Sequence, residues 1–139
     1  MSLYVLDTDI LTLLRGGHPA VRRRVESHPV TDLAITVISV EEQLTGWYTQ
    51  LRRVKKREAL ARVYQQLVDS VRFFAPLTIL SFTESAIARY ENLKALKLNI
   101  GKKDLCIAAI TLENSGILVS RNGSDFRRVP SLIVENWAE

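Results

Sequence analysis

Five short apolar runs, each too short for a helix and each followed by a turn or a polar residue, constrain this chain more than any other feature. They are Leu3–Leu6, Leu33–Thr36, Leu77–Leu80, Ile117–Ser120 and, as a possible fifth, Leu132–Glu135. Runs of this length, unbroken rather than alternating, suit strands buried on both faces. The intervals between the first four carry helical periodicity. Thr8–Leu14 places Ile10, Leu11 and Leu14 on one face before the Gly16-Gly17 break, and Pro19–Ser27 opens on a proline suited to a first helical turn. Val37–Leu51 and Lys55–Phe74 read as a pair of longer helices, Thr83–Ala95 as another with Thr83 as its cap, and Lys102–Asn114 as the last, stopped by Gly116. Strands alternating with helices predict an α/β fold: a three-layer sandwich with a mostly parallel central sheet of four to five strands flanked by helices. At 139 residues, with no low-complexity segment, repeat or linker, residues 1–139 form one domain.

In a parallel sheet the loops and helix N-termini that can carry chemistry meet at the carboxyl edge of the strands. The stretch YVLDTD ends the first strand there with Asp7 and Asp9. Glu42 falls in the first turns of the helix after the second strand. Lys102–Asn114 leads almost directly into the fourth strand and runs antiparallel to it, so Asp104 at its start belongs to the same edge. Asn122 and Asp125 in SRNGSDF follow the fourth strand. Carboxylates gathered in this way repel one another and raise their own pKa values unless a cation sits among them. Oxygen-only donors suit Mg²⁺, with Mn²⁺ as a substitute, and such ions pair with substrate phosphates. Phosphodiester hydrolysis is the chemistry that follows.

The charge distribution agrees. The chain carries a net charge of +4 and a pI near 9.5, with the positive residues clustered at Arg22–Arg24, at Arg127 and Arg128, and in RRVKKR from Arg52 to Arg57. Arg52, Arg53, Lys55, Lys56 and Arg57 are candidates for holding a nucleic-acid backbone over an acidic site; the competing reading is a solvated helix surface. The single cysteine, Cys106, excludes a Cys-rich zinc site and is expected to fill the core. No run is long enough for a membrane span and no signal-peptide pattern opens the chain, so a cytoplasmic location without membrane attachment is expected. His18 and His28 each precede a proline and are expected at the surface rather than as the acid and base of a metal-free nuclease.

Four blocks in order, YVLDTDIL, ISVEEQLTG, GKKDLCIAA and VSRNGSDFRRVPSLIVENW, resemble the PIN domain and, within it, the VapC-type toxin ribonucleases of bacterial toxin–antitoxin pairs. The resemblance covers nearly the whole chain. It implies that Asp7, Glu42, Asp104 and Asp125 are the catalytic and metal-binding acids of a Mg²⁺-dependent endoribonuclease. It also implies an RNA substrate, tRNA among the possibilities, a homodimer, and a cognate antitoxin. Asn122 is the polar neighbour of Asp125, and Thr8 and Asp9 are secondary candidates. Two departures stand out. Asp9 occupies a position more often held by asparagine, and Glu41 beside Glu42 gives two glutamates where one is usual, although the spacing to Gly46 favours Glu42.

Each of these residues also has a plainer reading. Thr8 or Asp9 can cap the first helix, Ser39-x-x-Glu42 fits a capping box, Asp104 can complement a helix dipole, and Asn122-Gly123 is an ordinary turn signal. Two other functional classes compete with the nuclease. Asp7-Thr8-Asp9 resembles the opening motif of haloacid-dehalogenase-type phosphotransferases, but Leu11 stands where threonine is usual. A catalytically inactive RNA-binding or assembly module of the same fold is the second, and the intact acids oppose it. Finally, an arginine or lysine offered by an antitoxin could compete with the metal for the carboxylates, with the helix pair Val37–Phe74 receiving the rest of the segment along Leu44, Trp47, Tyr48 and Leu51.

Overall fold

The computed structural model describes residues 2–139. In chain order the elements are β1 (Tyr4–Leu6), α1 (Thr8–Arg15), α2 (Pro19–Glu26), a short 3₁₀ turn (Val30–Asp32), β2 (Leu33–Thr36), α3 (Val37–Arg53), α4 (Arg57–Phe74), β3 (Thr78–Leu80), α5 (Glu84–Ala95), α6 (Lys102–Glu113), β4 (Ile117–Val119), α7 (Gly123–Phe126) and β5 (Ile133–Glu135). The expected strands are all present, each within a residue of its predicted ends. The 3₁₀ turn and the single turn α7 are the additions. Among the described residues the sheet is wholly parallel, in the order β3-β2-β1-β4-β5.

The period-2 alternation of the three central strands divides the core in two. Val5, Ala34 and Leu118 point to one face, where they pack with α5, α6 and Phe126 of α7. Leu6, Leu33, Ile35 and Val119 point to the other, where Ile10 and Leu11 of α1, Val21 of α2, Phe74 of α4 and Trp137 complete the second cluster. Because both faces are covered, Val5 and Leu6 are neighbours in sequence and both fully buried. The expected three-layer arrangement follows from this alternation.

α6 is the most deeply set helix. Every residue from Leu105 to Thr111 is buried, Cys106 included, as its apolar composition on all sides requires. Its exit is tight. Ser115 adopts φ +53°, and a Cβ on Gly116 would stand 2.9 Å from Val5 Cγ2 and 3.3 Å from the Leu3 carbonyl. Only glycine allows α6 to turn this close to β1 and feed β4. The connection before α6, from Leu96 to Gly101, bends through two left-handed residues, Lys97 (φ +54°) and Asn99 (φ +59°), and leaves α5 packed on α6.

Neither histidine is a free surface group. His18 caps α2 by accepting from the Val21 amide. His28 stacks on Trp137, with ring centroids 5.0 Å apart and an interplanar angle of 3°.

Candidate active site

The strand order reverses direction between β1 and β4. From β1 the chain builds outward through β2 and β3, then returns to place β4 on the other side of β1. Loops leaving the carboxyl ends of these two strands diverge and open a crevice, which is where ligands bind in open α/β sheets. The sequence puts its acids there. An open cleft of about 520 Å³ is lined by Asp7, Thr8, Asp9, Thr12, Glu42, Asp104, Arg121 and Asn122.

Asp7 ends β1 and is the N-cap of α1, its Oδ1 accepting from the Ile10 amide at 2.8 Å. Neither Thr8 nor Asp9 has that role. The side chain of Asp7 is buried, and desolvation raises its pKa from the ordinary 3.8 to about 6, with smaller upward contributions from Asp9 and Asp104 and opposition from the Ser120 hydroxyl and the Ile10 amide. Asp104, in the first turn of α6, is half-buried and raised as well, first by desolvation and then by the charges of Glu42 and Asp125. Among the described residues neither acid has an ion-pair partner. Arg121 on the cleft wall is paired with Asp9, so the charges of Asp7 and Asp104 are met by no ion pair of their own.

Glu42 reaches the cleft through a specific local arrangement. α3 begins at Val37 with Thr36 as N-cap, so Ser39 lies inside the first turn and the capping box does not form. Ser39 is buried and instead meets the Thr8 hydroxyl at 2.8 Å, while Thr8 Oγ1 donates to Glu42 Oε1 at 2.8 Å. Thr8 therefore fixes the glutamate on the cleft wall. Glu41 points elsewhere, paired with Lys103 at 3.0 Å on the exposed surface. Of the two glutamates, Glu42 is the one that lines the cleft.

Asp125 stands apart from the other three acids. Its Oδ2 accepts from Asn122 Nδ2 at 2.9 Å and its Oδ1 from Arg128 Nη2 at 3.0 Å. It is close enough to raise the pKa of Asp104, but it does not line the cleft, where Asn122 takes the place nearer the centre. Arg128 also donates to the carbonyls of Leu98 and Asn99, tying α7 to the turn before α6. Asp9 is likewise committed, to a bidentate pair with Arg121 at 2.7 and 2.9 Å. Arg121 was not among the sequence candidates. Its signal was its position between the end of β4 and Asn122, which puts a cation on the acidic edge. Among the described residues no three His, Cys, Asp or Glu side chains form a ready-made metal cage.

Arg52, Arg53, Lys55, Lys56 and Arg57 lie at the tip of the α3–α4 hairpin. All five are exposed. Ten residues of helix separate Glu42 from Arg52, about 15 Å along the axis, so the structure does not bring this cluster to the cleft.

A second open groove, of about 510 Å³, shares Thr12 and Glu42 with the cleft and continues past Arg15, Gln43, Gly46, Trp47, Gln50 and Gln66. Of the apolar residues expected to line such a groove only Trp47 does so; Leu44 and Leu51 are half-buried elsewhere and Tyr48 is exposed. The helical spacing was right, but it could not separate the side of α3 that packs from the side that faces α1. Trp47 is anchored by Nε1, which donates to Ser70 Oγ at 2.7 Å, and Arg15 donates to the same buried hydroxyl at 2.7 Å.

No protein-family model matches the chain. A curated relative does. Ribonuclease VapC2 of Rickettsia felis is 30% identical over 141 residues, a span of 97% of this chain and 98% of the relative. The chain belongs to the VapC ribonuclease family. Among solved structures, VapBC2 of Rickettsia felis bound to a promoter DNA fragment superposes with a TM-score of 0.76 at 27% identity, covering 97% of this chain and 98% of the other. VapBC-1 of nontypeable Haemophilus influenzae gives 0.76 at 22% identity over 99% of both chains. FitAcB of Neisseria gonorrhoeae gives 0.77 at 21% over 97% and 98%. The last two show the shared fold. VapC membership agrees with the PIN-like sandwich expected from the four sequence blocks and with a cleft built from the ends of β1 and β4.

Proposed function

We propose that this chain is a cytoplasmic, metal-dependent endoribonuclease that serves as the toxin of a toxin–antitoxin pair. The observation that carries the reading is the cleft itself, which Asp7, Glu42 and Asp104 line with no ion pair among the described residues, its one arginine, Arg121, being paired with Asp9. Its donors are all carboxylate oxygens, which suits Mg²⁺ or Mn²⁺. Mg²⁺ keeps several waters and takes one or two carboxylates together with substrate phosphates, so it does not require a closed cage. Asp7, Asp104 and Glu42 would hold the ion, and Asp125 would act from behind Asn122 by adding negative charge beside Asp104. A bound ion supplies charge neutralisation at the reacting phosphate and a more acidic water.

The chain's own residues do the rest. Thr8 holds Glu42 on the cleft wall, and Asp7 is held by the α1 N-terminus, so the acids are positioned before substrate arrives. Attack by water at phosphorus, with departure of the ribose 3′-oxygen, leaves a 5′-phosphate and a 3′-hydroxyl. The Arg52–Arg57 cluster at the hairpin tip contacts the RNA backbone away from the scissile bond.

The groove that continues from the cleft between α1 and α3 is suited to an antitoxin segment whose arginine or lysine enters among the acids in competition with the metal. Gly46 supports this. It lies within α3 on the groove wall, and a Cβ built there meets nothing within 4 Å, so space rather than packing surrounds it. A homodimer is part of the same reading. Tyr64, Val68 and Val71, 53%, 42% and 56% exposed, form a stripe along α4 of the kind a second chain covers.

Nothing in the structure favours a phosphotransferase. Leu11, where that class carries threonine, is 1% exposed and packed in the core. The discriminating experiment compares hydrolysis of single-stranded RNA with that of a generic phosphomonoester, each with Mg²⁺ and in excess chelator. RNA cleavage with Mg²⁺ alone is expected; phosphomonoester turnover without RNA cleavage would overturn the reading.

A further inference from the structure

Arg121 is the single basic residue among those lining the acidic cleft, and it also lines a second cavity of about 240 Å³ with Ser124, Arg127, Asn136 and Glu139. It therefore stands on the wall between the two. Its pairing with Asp9 uses Nε and Nη2, which leaves three of the five guanidinium N–H groups uncommitted by that pair. The pair is half exposed, 50% for Arg121 and 47% for Asp9, and ion pairs in that setting are weak. A phosphate can displace the carboxylate at little cost. Arg127 is exposed and makes no ion pair among the described residues. It lies along the open side of Gly123, whose added Cβ would stand 3.8 Å from the Arg127 Nε. The one acid in the second cavity, Glu139, accepts from Asn136 at 3.3 Å.

We propose that Arg121 and Arg127 form a subsite for an RNA phosphate flanking the scissile one, with Asp9 holding Arg121 in place until substrate arrives. The inference rests on the ribonuclease reading and adds to it the direction in which the RNA leaves the cleft, across α7. Arginine suits this role because its planar fork matches phosphate in a bidentate manner. A nuclease whose centre is crowded with carboxylates needs such a cation close by, since a phosphate next to the scissile one otherwise meets only negative charge.

The test compares a ten-nucleotide single-stranded RNA with the dinucleotide spanning its cleaved step, which carries only the scissile phosphate. On the longer RNA, Arg127→Ala should raise KM about fivefold and Arg121→Ala about tenfold, Arg121→Lys should recover part of the loss, and Arg127→Ala should leave kcat within about twofold and KM for the dinucleotide unchanged. Wild-type KM for the longer RNA in both alanine variants would overturn the subsite, as would equal losses on the two substrates in Arg127→Ala. RNA affinity in an Asp7→Asn background separates this failure from failure of the ribonuclease reading. There, even if the wild-type chain cleaves no RNA, Arg127→Ala should lower the slope of log affinity against log salt by about 0.7, and an unchanged slope would sink the subsite.

Discussion

At the residue scale, Asp7 carries the strongest conflict between stability and function. A buried carboxylate beside Asp9 and Asp104 is a destabilising group, which the proposed metal site would account for. Its folded-state pKa, raised from 3.8 to about 6, means that the folded chain binds the proton more tightly than the unfolded chain does. The stability linked to that proton is fully present below pH about 4 and is lost as pH rises through about 6, amounting to about 3 kcal/mol for a shift of this size. With divalent ions chelated, denaturant midpoints should therefore fall between pH 4.5 and 7.5. Asp7→Asn keeps the α1 cap, since asparagine caps as well as aspartate, and should flatten that profile and stabilise the chain at pH about 7.5. A profile unchanged by the substitution would place the pH dependence in other groups.

At the element scale, two glycines make opposite predictions. Gly46→Ala fills open space within α3 and replaces the poorest ordinary helix former, so the isolated chain should gain up to about 1 kcal/mol in chemical denaturation. Gly116→Ala drives a Cβ to 2.9 Å from Val5 Cγ2 at the α6–β4 turn and should cost about 1 to 3 kcal/mol. A gain at Gly116 or a loss at Gly46 would contradict this packing.

The elements themselves were largely legible in the sequence, because buried parallel strands advertise themselves as short apolar runs and α6 as an apolar helix. The acids were legible through topology, since a residue that ends a strand or opens a helix has its edge of the sheet determined by connectivity. What escaped was decided by tertiary contact. Whether Ser39 caps α3 or meets Thr8 depends on where α1 lies. Whether Asp125 enters the cleft depends on Arg128 and Asn122, and the partner of Arg121 is 112 residues away in sequence. The Arg52–Arg57 cluster was visible as charge, but its distance from the cleft follows from the length of α3.

At the scale of the whole molecule, the proposed function assigns the acidic cleft to the scissile phosphate, and the flanking arginines and the basic hairpin tip to more distant parts of the RNA backbone. Neutralising two residues of Arg52–Arg57 should weaken RNA binding and reduce its salt slope by about 0.7 for each phosphate no longer neutralised. An unchanged slope would return the cluster to solvated surface. Expression of the chain alone should arrest bacterial growth, and co-expression of its cognate antitoxin should relieve the arrest. Accumulation of active wild-type protein without effect on growth would remove the toxin role while leaving the nuclease intact. On this reading, three carboxylates from β1, α3 and α6 cleave RNA through a divalent ion. The decisive experiment is the cleavage rate of a defined RNA by wild type, Asp7→Asn, Glu42→Gln and Asp104→Asn, with Mg²⁺ and in excess chelator, on protein shown by circular dichroism to be folded. Wild type should cleave with Mg²⁺, and each variant, like wild type in chelator, should lose at least about a hundredfold in rate. Undiminished cleavage by the folded Asp7→Asn and Asp104→Asn proteins in chelator would contradict the metal mechanism.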